Sequence, residues 1–318
     1  MRLDRIGKLI IQGQRVYKSK GALGALLVLL WGAGLGFIIW KAWESQEIII
    51  PYLIGADLLK LIWVFFSYLA SLIAAIIGWT AIMQAFDNSV GWTKNLQIFG
   101  TTLAARRLPG TFWYVGGRLL MYQQIGISNK IVIIASSIEL TVTLITGAFL
   151  GLSFLLASGT NLPTQVIIAI VIGGIIGVLI LHPSALRSIL GRSEKNLLGK
   201  IGVRNILTWL VAYVIMWVMG GVMLSQIAAV FGLIGPVKIS RMIGIWSLSG
   251  TAGILTFFLP STFGITEVTI AALLAQLIPL PLAGVIAVFT RLATSIFEIL
   301  LSAVFYPIFV ARARAQSK

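Results

Sequence analysis

Four ionisable side chains stand inside long apolar stretches of the chain: Arg118, Glu139, Glu267 and Arg291. Facing lipid, each would cost ~2.5 to 3.5 kcal/mol, on the order of 10 kcal/mol together. That rivals the net stability of a whole folded protein. They are therefore expected to face a bundle interior or a wet cavity, where an arginine fork holds a carboxylate or a phosphate equally well. Glu298, seven residues after Arg291 and on the same helix face, is expected to border the same cavity. Other chemistry is poorly supplied. There is no cysteine, and the lone His182 is followed by Pro183, so thiolate, metal-cluster and Ser-His-Asp arrangements are not assembled. No catalytic residue, metal site or cofactor is assigned, and the chain is read as a non-enzyme, with carboxylate-based lipid chemistry left open.

The elements that must position these charges are read from composition. The 318 residues are 58% hydrophobic and 10% charged, with a mean hydropathy of +1.01. An ordinary soluble domain carries about a quarter charged residues, so water is not the main solvent of this chain. Apolar runs near the length needed to cross ~30 Å of hydrocarbon recur throughout. They predict full spans at 22–40, 58–85, 130–157, 164–182, 204–228 and 282–310. Residues 2–20 hold six Lys/Arg and place Leu3, Ile6, Ile10, Gly13 and Val16 at helical spacing, which predicts an interfacial amphipathic helix. No small-residue cleavage site follows, so residues 1–20 are expected to be retained rather than removed as a signal peptide.

Charge bias sets the orientation. The N-terminal block, the loop with Arg187, Arg192, Lys195, Lys200 and Arg204, and the basic tail 311–318 fall cytoplasmic, as does each terminus; the uncharged loop 158–164 falls outside. The net charge of +15 sits in short blocks beside apolar runs, which points to anionic headgroups of membrane phospholipids and not to nucleic acid. A bacterial inner (plasma) membrane is the expected location. Asp57, Lys60, Asp87 and Lys94 fall at span ends, where interfacial roles are ordinary.

Two apolar stretches, 96–124 and 241–278, do not read as simple crossings. Each is broken in the middle, by Leu108-Pro109-Gly110-Thr111-Phe112 and by Leu259-Pro260-Ser261-Thr262-Phe263-Gly264. Each arm is too short to span, so two re-entrant hairpins entering from opposite faces are predicted. The breakers lie 151 residues apart, and Ala135 through Glu139 aligns with Ala287 through Arg291. The charges exchange sign between the halves. An all-α membrane domain over 21–310 follows, with repeat one at about 52–157 and repeat two at about 204–310. It holds six spans and two re-entrant hairpins in an inverted repeat, a plan typical of secondary transporters.

A broken helix exposes N–H groups and the positive end of its dipole, which together favour an anion. Pro109, Gly110, Gly116, Gly117, Pro260 and Gly264 are thus candidate substrate-binding positions beside the four charges and Glu298. Hairpin geometry is the competing role for the glycines. Arg106 and Arg107 precede the first breaker and are candidates for headgroup contact. Gly32, Gly36, Gly173 and Gly177 read as helix-packing residues.

The run Leu108-Pro109-Gly110, Gly116-Gly117-Arg118, Gly126 and Glu139, followed by Pro260, Gly264, Glu267 and Arg291, resembles the membrane domain of lysylphosphatidylglycerol synthases and their stand-alone relatives. The resemblance covers about residues 20 to 310 and implies a lipid-flippase-like fold. In fused members a soluble aminoacyl-transferase domain follows; here the chain stops eight residues after Val310, so synthase activity is not expected. Family members commonly carry a fuller Pro-x-Gly-Gly-x-Gly second breaker, where this chain has Ser261-Thr262-Phe263. The leading expectation is a lipid translocase or lipid-binding transporter. The alternatives are a scaffold presenting a lipid-linked substrate to a separate membrane-associated transferase, and an ion-coupled solute transporter with Glu139 or Glu267 carrying the proton. A homo-oligomer is left open.

Overall fold

The computed structural model describes residues 44, 46–86, 90–107, 112–160, 162–181, 201–233, 238–255 and 264–316. All regular structure among them is helical. In chain order the helices are α1 (Gln46–Ile54), α2 (Leu61–Phe86), α3 (Trp92–Thr102), α4 (Phe112–Gln124), α5 (Asn129–Ala157), α6 (Thr164–Leu181), α7 (Val203–Val230), α8 (Ile239–Leu255), α9 (Ile265–Leu274) and α10 (Leu280–Gln316). Short 3-10 turns at Leu58–Lys60 and Ala104–Arg107 lead into α2 and out of α3.

Four segments are long and apolar enough to cross a membrane: Leu58–Phe86, Asn129–Ala157, Val203–Val230 and Leu280–Ile308. At 1.5 Å per residue each is about 42 Å long, enough to cover the hydrocarbon with tilt. The chain is thus an integral membrane protein by length and composition of its helices. The predicted span 164–182 forms α6, 18 residues and about 27 Å long. The span at 22–40 and the amphipathic segment 1–20 lie outside the described residues.

Sequence explains why these runs settle as helices in an apolar phase. Buried hydroxyls are satisfied within their own helix, with Thr143, Thr146, Thr290 and Thr294 each donating to the carbonyl four residues back. Ser128 caps α5 by accepting from the Lys130 N–H. Outward rows stay apolar: on α10, Leu292, Ile296, Ile299, Leu300 and Val304 are all exposed, at helical spacing. That is the pattern of a lipid-facing surface rather than a soluble one.

The packing is organised around a central pair. Helices α2 and α7 lie against each other over most of their length, with Tyr213 seated on Gly78, where a Cβ would come within 2.6 Å of the ring. Ser71 donates to the Met216 carbonyl at 2.7 Å across the same seam. Around this pair, α2–α5 and α7–α10 repeat one order: long, short, short, long. The last long helix of each set packs on the first short arm of the other, α5 on α8 and α10 on α3. The second short arm of each packs on its own long helix, α4 on α5 and α9 on α10. Glycines set the closest approaches, including Gly151 against the Leu248 backbone and Gly221 against the Ile243 backbone.

The arms flanking each predicted breaker are too short to cross a bilayer. Helices α3 and α4 have 11 and 13 residues, and α8 and α9 have 17 and 10. The arms of each pair touch one another. The breakers themselves, 108–111 and 256–263, lie outside the described residues.

Candidate functional site

The four buried charges come together as two ion pairs, one in each set of helices. In the first, Arg118 of α4 meets Glu139 of α5 with both terminal nitrogens, Nη1 to Oε2 at 2.5 Å and Nη2 to Oε1 at 3.4 Å. Arg118 is 0% exposed. Its guanidinium lies over three rings, with centroids at 3.8 Å (Trp79), 4.0 Å (Tyr114) and 4.7 Å (Phe99). A desolvated cation over aromatic faces gains about 2 kcal/mol, which offsets part of its removal from water.

A polar chain holds that cage in place. Trp79 Nε1 donates to the Tyr122 hydroxyl at 2.7 Å, and that hydroxyl donates to Asn95 Oδ1. Trp79 comes from α2, Asn95 and Phe99 from α3, and Tyr114 and Tyr122 from α4, so three elements converge on one guanidinium. Arg106 joins from the 3-10 turn after α3. Its Nη2 donates to the Tyr114 hydroxyl at 2.7 Å, and its guanidinium lies 4.4 Å from the Tyr114 ring centroid. No carboxylate among the described residues forms an ion pair with Arg106. The cluster of Arg106, Arg118 and Glu139 therefore carries one excess positive charge. One buried donor there, Arg118 Nε, has no partner among the described residues, and the Tyr213 hydroxyl lies beside Glu139.

The second pair is built more loosely. Arg291 Nε on α10 stands 3.4 Å from Glu267 Oε1 on α9, with 21% of the arginine side chain exposed. The other carboxylate oxygen of Glu267 is engaged at home, accepting the Gly264 N–H at 2.9 Å. Gly264 sits at φ +96°, a conformation other residues adopt only with strain, and this turn starts α9.

Glu298 lies on the same helix as Arg291, seven residues further on. It is buried and accepts a short hydrogen bond from the Tyr68 hydroxyl of α2, two turns along α10. Neither of two cavities beside the long helices is lined by these four charges or Glu298. One cavity of about 560 Å³ lies between α2 and α7, lined by Ala70, Ile73, Ile77, Arg204, Leu207 and Val211 among others, and a second of about 400 Å³ lies between α5 and α6. Both are apolar furrows between neighbouring helices. Arg118, Glu139, Glu267 and Glu298 are buried, as expected of charges that face a bundle interior; Arg118 and Glu139 form one ion pair, Arg291 and Glu267 another, and Glu298 accepts from Tyr68.

Of the remaining expected positions, Gly116 faces open space, Gly117 abuts Thr102, and Gly177 packs on Ile145. Pro109, Gly110 and Pro260, and the side chain of Arg107, lie outside the described residues. Sequence reading missed Trp79, Asn95, Tyr114, Tyr122 and Tyr68. A signal was present: Tyr114, Arg118 and Tyr122 recur every four residues, a polar-tipped stripe on one face of a short helix. The fold and these pairs define a polytopic helical membrane protein with internal charges. No family model matches the chain, and no curated protein matches it either.

Proposed function

We propose that this chain is a lipid translocase or lipid-binding membrane transporter that works without covalent chemistry, its two halves forming an inverted repeat with re-entrant hairpins and six spans. In this reading α3–α4 and α8–α9 are the hairpins, and the termini face the cytoplasm of a bacterial plasma membrane. The headgroup engages the arginines while acyl chains remain in the bilayer. The observation that carries the reading is the pair of internal ion pairs on corresponding helices, α4–α5 and α9–α10, with signs exchanged. The reciprocal packing of α5 on α8 and α10 on α3 accords with it.

The chemistry follows from the fork geometry. A phosphate presents the same paired oxygens as the Glu139 carboxylate, so it competes for Arg118 on equal geometric terms. Arg106 supplies a cation whose charge no described carboxylate offsets, which favours an anionic ligand on this side. The test is transport of labelled phosphatidylglycerol across reconstituted vesicles. Arg118→Ala is expected to slow it on the order of tenfold, and Arg118→Lys, which keeps charge but loses the fork, by less. Equal rates for the wild type and a folded Arg118→Ala protein would sink the proposal.

A further inference from the structure

Helix α3 ends in an unusual way. In a regular α-helix the Ala104 N–H would bond the Gly100 carbonyl. Here a hydroxyl from another helix stands between them: Ser302 of α10 accepts the Ala104 N–H at 2.8 Å and donates to the Gly100 carbonyl at 2.8 Å. The interrupted ladder continues with three-residue closures, Leu103 N–H to Gly100 at 3.3 Å and Arg106 N–H to Leu103 at 3.0 Å. The chain thereby turns into the 3-10 segment Ala104–Arg107, which delivers Arg106 onto Tyr114. Phe305 of α10 covers Gly100 so closely that a Cβ there would come within 2.3 Å of its ring. Ser302 itself is buried.

We infer that Ser302 is a positioning residue for the anion site of the first half: its hydroxyl, inserted into the end of α3, places the Arg106 guanidinium beside Arg118. The assignment of that site to an anionic headgroup rests on the proposed function; the positioning of Arg106 does not. The same α10 face carries Arg291, Glu298, Ser302 and Phe305, at spacings of 7, 4 and 3 residues. These contact α9, α2 and α3 in turn. Helix α10 thus touches both the Arg291–Glu267 pair and the end of α3.

The chain has no native cysteine, so a single Ala105→Cys substitution reports directly on the turn. The full chain is placed in nanodiscs of phosphatidylglycerol and phosphatidylcholine, and its modification by a charged methanethiosulfonate reagent is timed. Ser302→Ala is expected to change the rate about fivefold, and Ser302→Thr, which keeps the hydroxyl, by less than about twofold. An unchanged rate in Ser302→Ala overturns the inference, as does an equal change in Ser302→Ala and Ser302→Thr. Should Ser302→Ala not fold, Ser302→Val against Ser302→Thr makes the same comparison between near-isosteric side chains, and equal rates there overturn it. Phosphatidylglycerol transport is measured in parallel. The concentration for half-maximal transport is expected to rise several-fold in Ser302→Ala while the maximal rate holds, and an unmoved concentration overturns the role at the anion site. Absence of transport in the wild type refutes the proposed function, whereas the reporter rate still decides where Ser302 acts.

Discussion

The two ion pairs use the same residue types on matching helices, yet they are held in opposite ways. Arg118 is sealed: both terminal nitrogens meet Glu139 and aromatic rings enclose the cation. Arg291 reaches Glu267 through Nε and remains partly exposed, while Glu267 spends its other oxygen on the turn at Gly264. A sealed two-contact pair is costly to break and slow to admit a competitor; a pair with one longer contact and a partly exposed arginine opens more readily. The two halves thus differ in how firmly each ion pair is held: two contacts inside an aromatic cage in the first, one longer contact in the second.

The largest expected effect separates them directly. Glu139→Gln leaves a buried guanidinium without its countercharge and should destabilise the protein by about 3 to 5 kcal/mol. Glu267→Gln keeps the acceptor for the Gly264 N–H and removes only one 3.4 Å contact from an arginine that is 21% exposed, so a smaller loss, about 1 to 2 kcal/mol, is expected. Thermal unfolding in detergent micelles measures both. Equal losses would break the comparison. A double variant, Arg118→Met with Glu139→Leu, sharpens it: removing both charges should cost less than Glu139→Gln alone, because no orphan charge remains.

The next effect tests whether the aromatic cage is what distinguishes the first pair. Tyr122→Phe removes the hydroxyl that accepts from Trp79 and donates to Asn95, leaving two buried polar groups unsatisfied. A loss of about 1 to 3 kcal/mol is expected in the same unfolding measurement. If the variant melts with the wild type, the chain from Trp79 to Asn95 does not hold the cage.

Much of this was readable from the chain, and the part that was not has a physical reason. Arg118, Glu139, Glu267 and Arg291 stand out because a charge within an apolar run has few tolerable surroundings. The interruptions near Pro109 and Pro260 predicted short arms, and α3, α4, α8 and α9 are short. The aromatic cage was less legible, since Trp79 and Phe99 in an apolar helix look like any lipid-facing or core residue until a partner helix is placed. Ser302 was invisible for the same reason: it acts on a carbonyl about two hundred positions away. Where cavities lie depends on which helices touch, and the cross-packing of α5 on α8 and α10 on α3 has no signature in hydropathy.

Smaller effects come from two glycines that occupy opposite situations in the two halves. Gly264 holds φ +96° at the start of α9, so Gly264→Ala should cost about 1 to 3 kcal/mol through backbone strain, and should loosen the turn that fixes Glu267. A melting temperature equal to the wild type would show that the turn adjusts without cost.

Gly116 lies within α4, two residues before Arg118, where a Cβ would meet nothing within 4 Å. Neither left-handed backbone nor close packing requires a glycine there. Alanine is the better helix former by about 1 kcal/mol and also restricts the unfolded chain, so Gly116→Ala should stabilise the protein by about 0.5 to 1 kcal/mol. Its neighbour Gly117, where a Cβ would stand 3.3 Å from Thr102, should gain less from the same change. Function then discriminates what stability cannot. If a headgroup approaches α4 at Gly116, the alanine methyl occupies part of its path, and transport of labelled phosphatidylglycerol should fall while the melting temperature rises. A variant that is more stable and transports at the wild-type rate would remove Gly116 from the site and leave the anion to Arg106 and Arg118 alone.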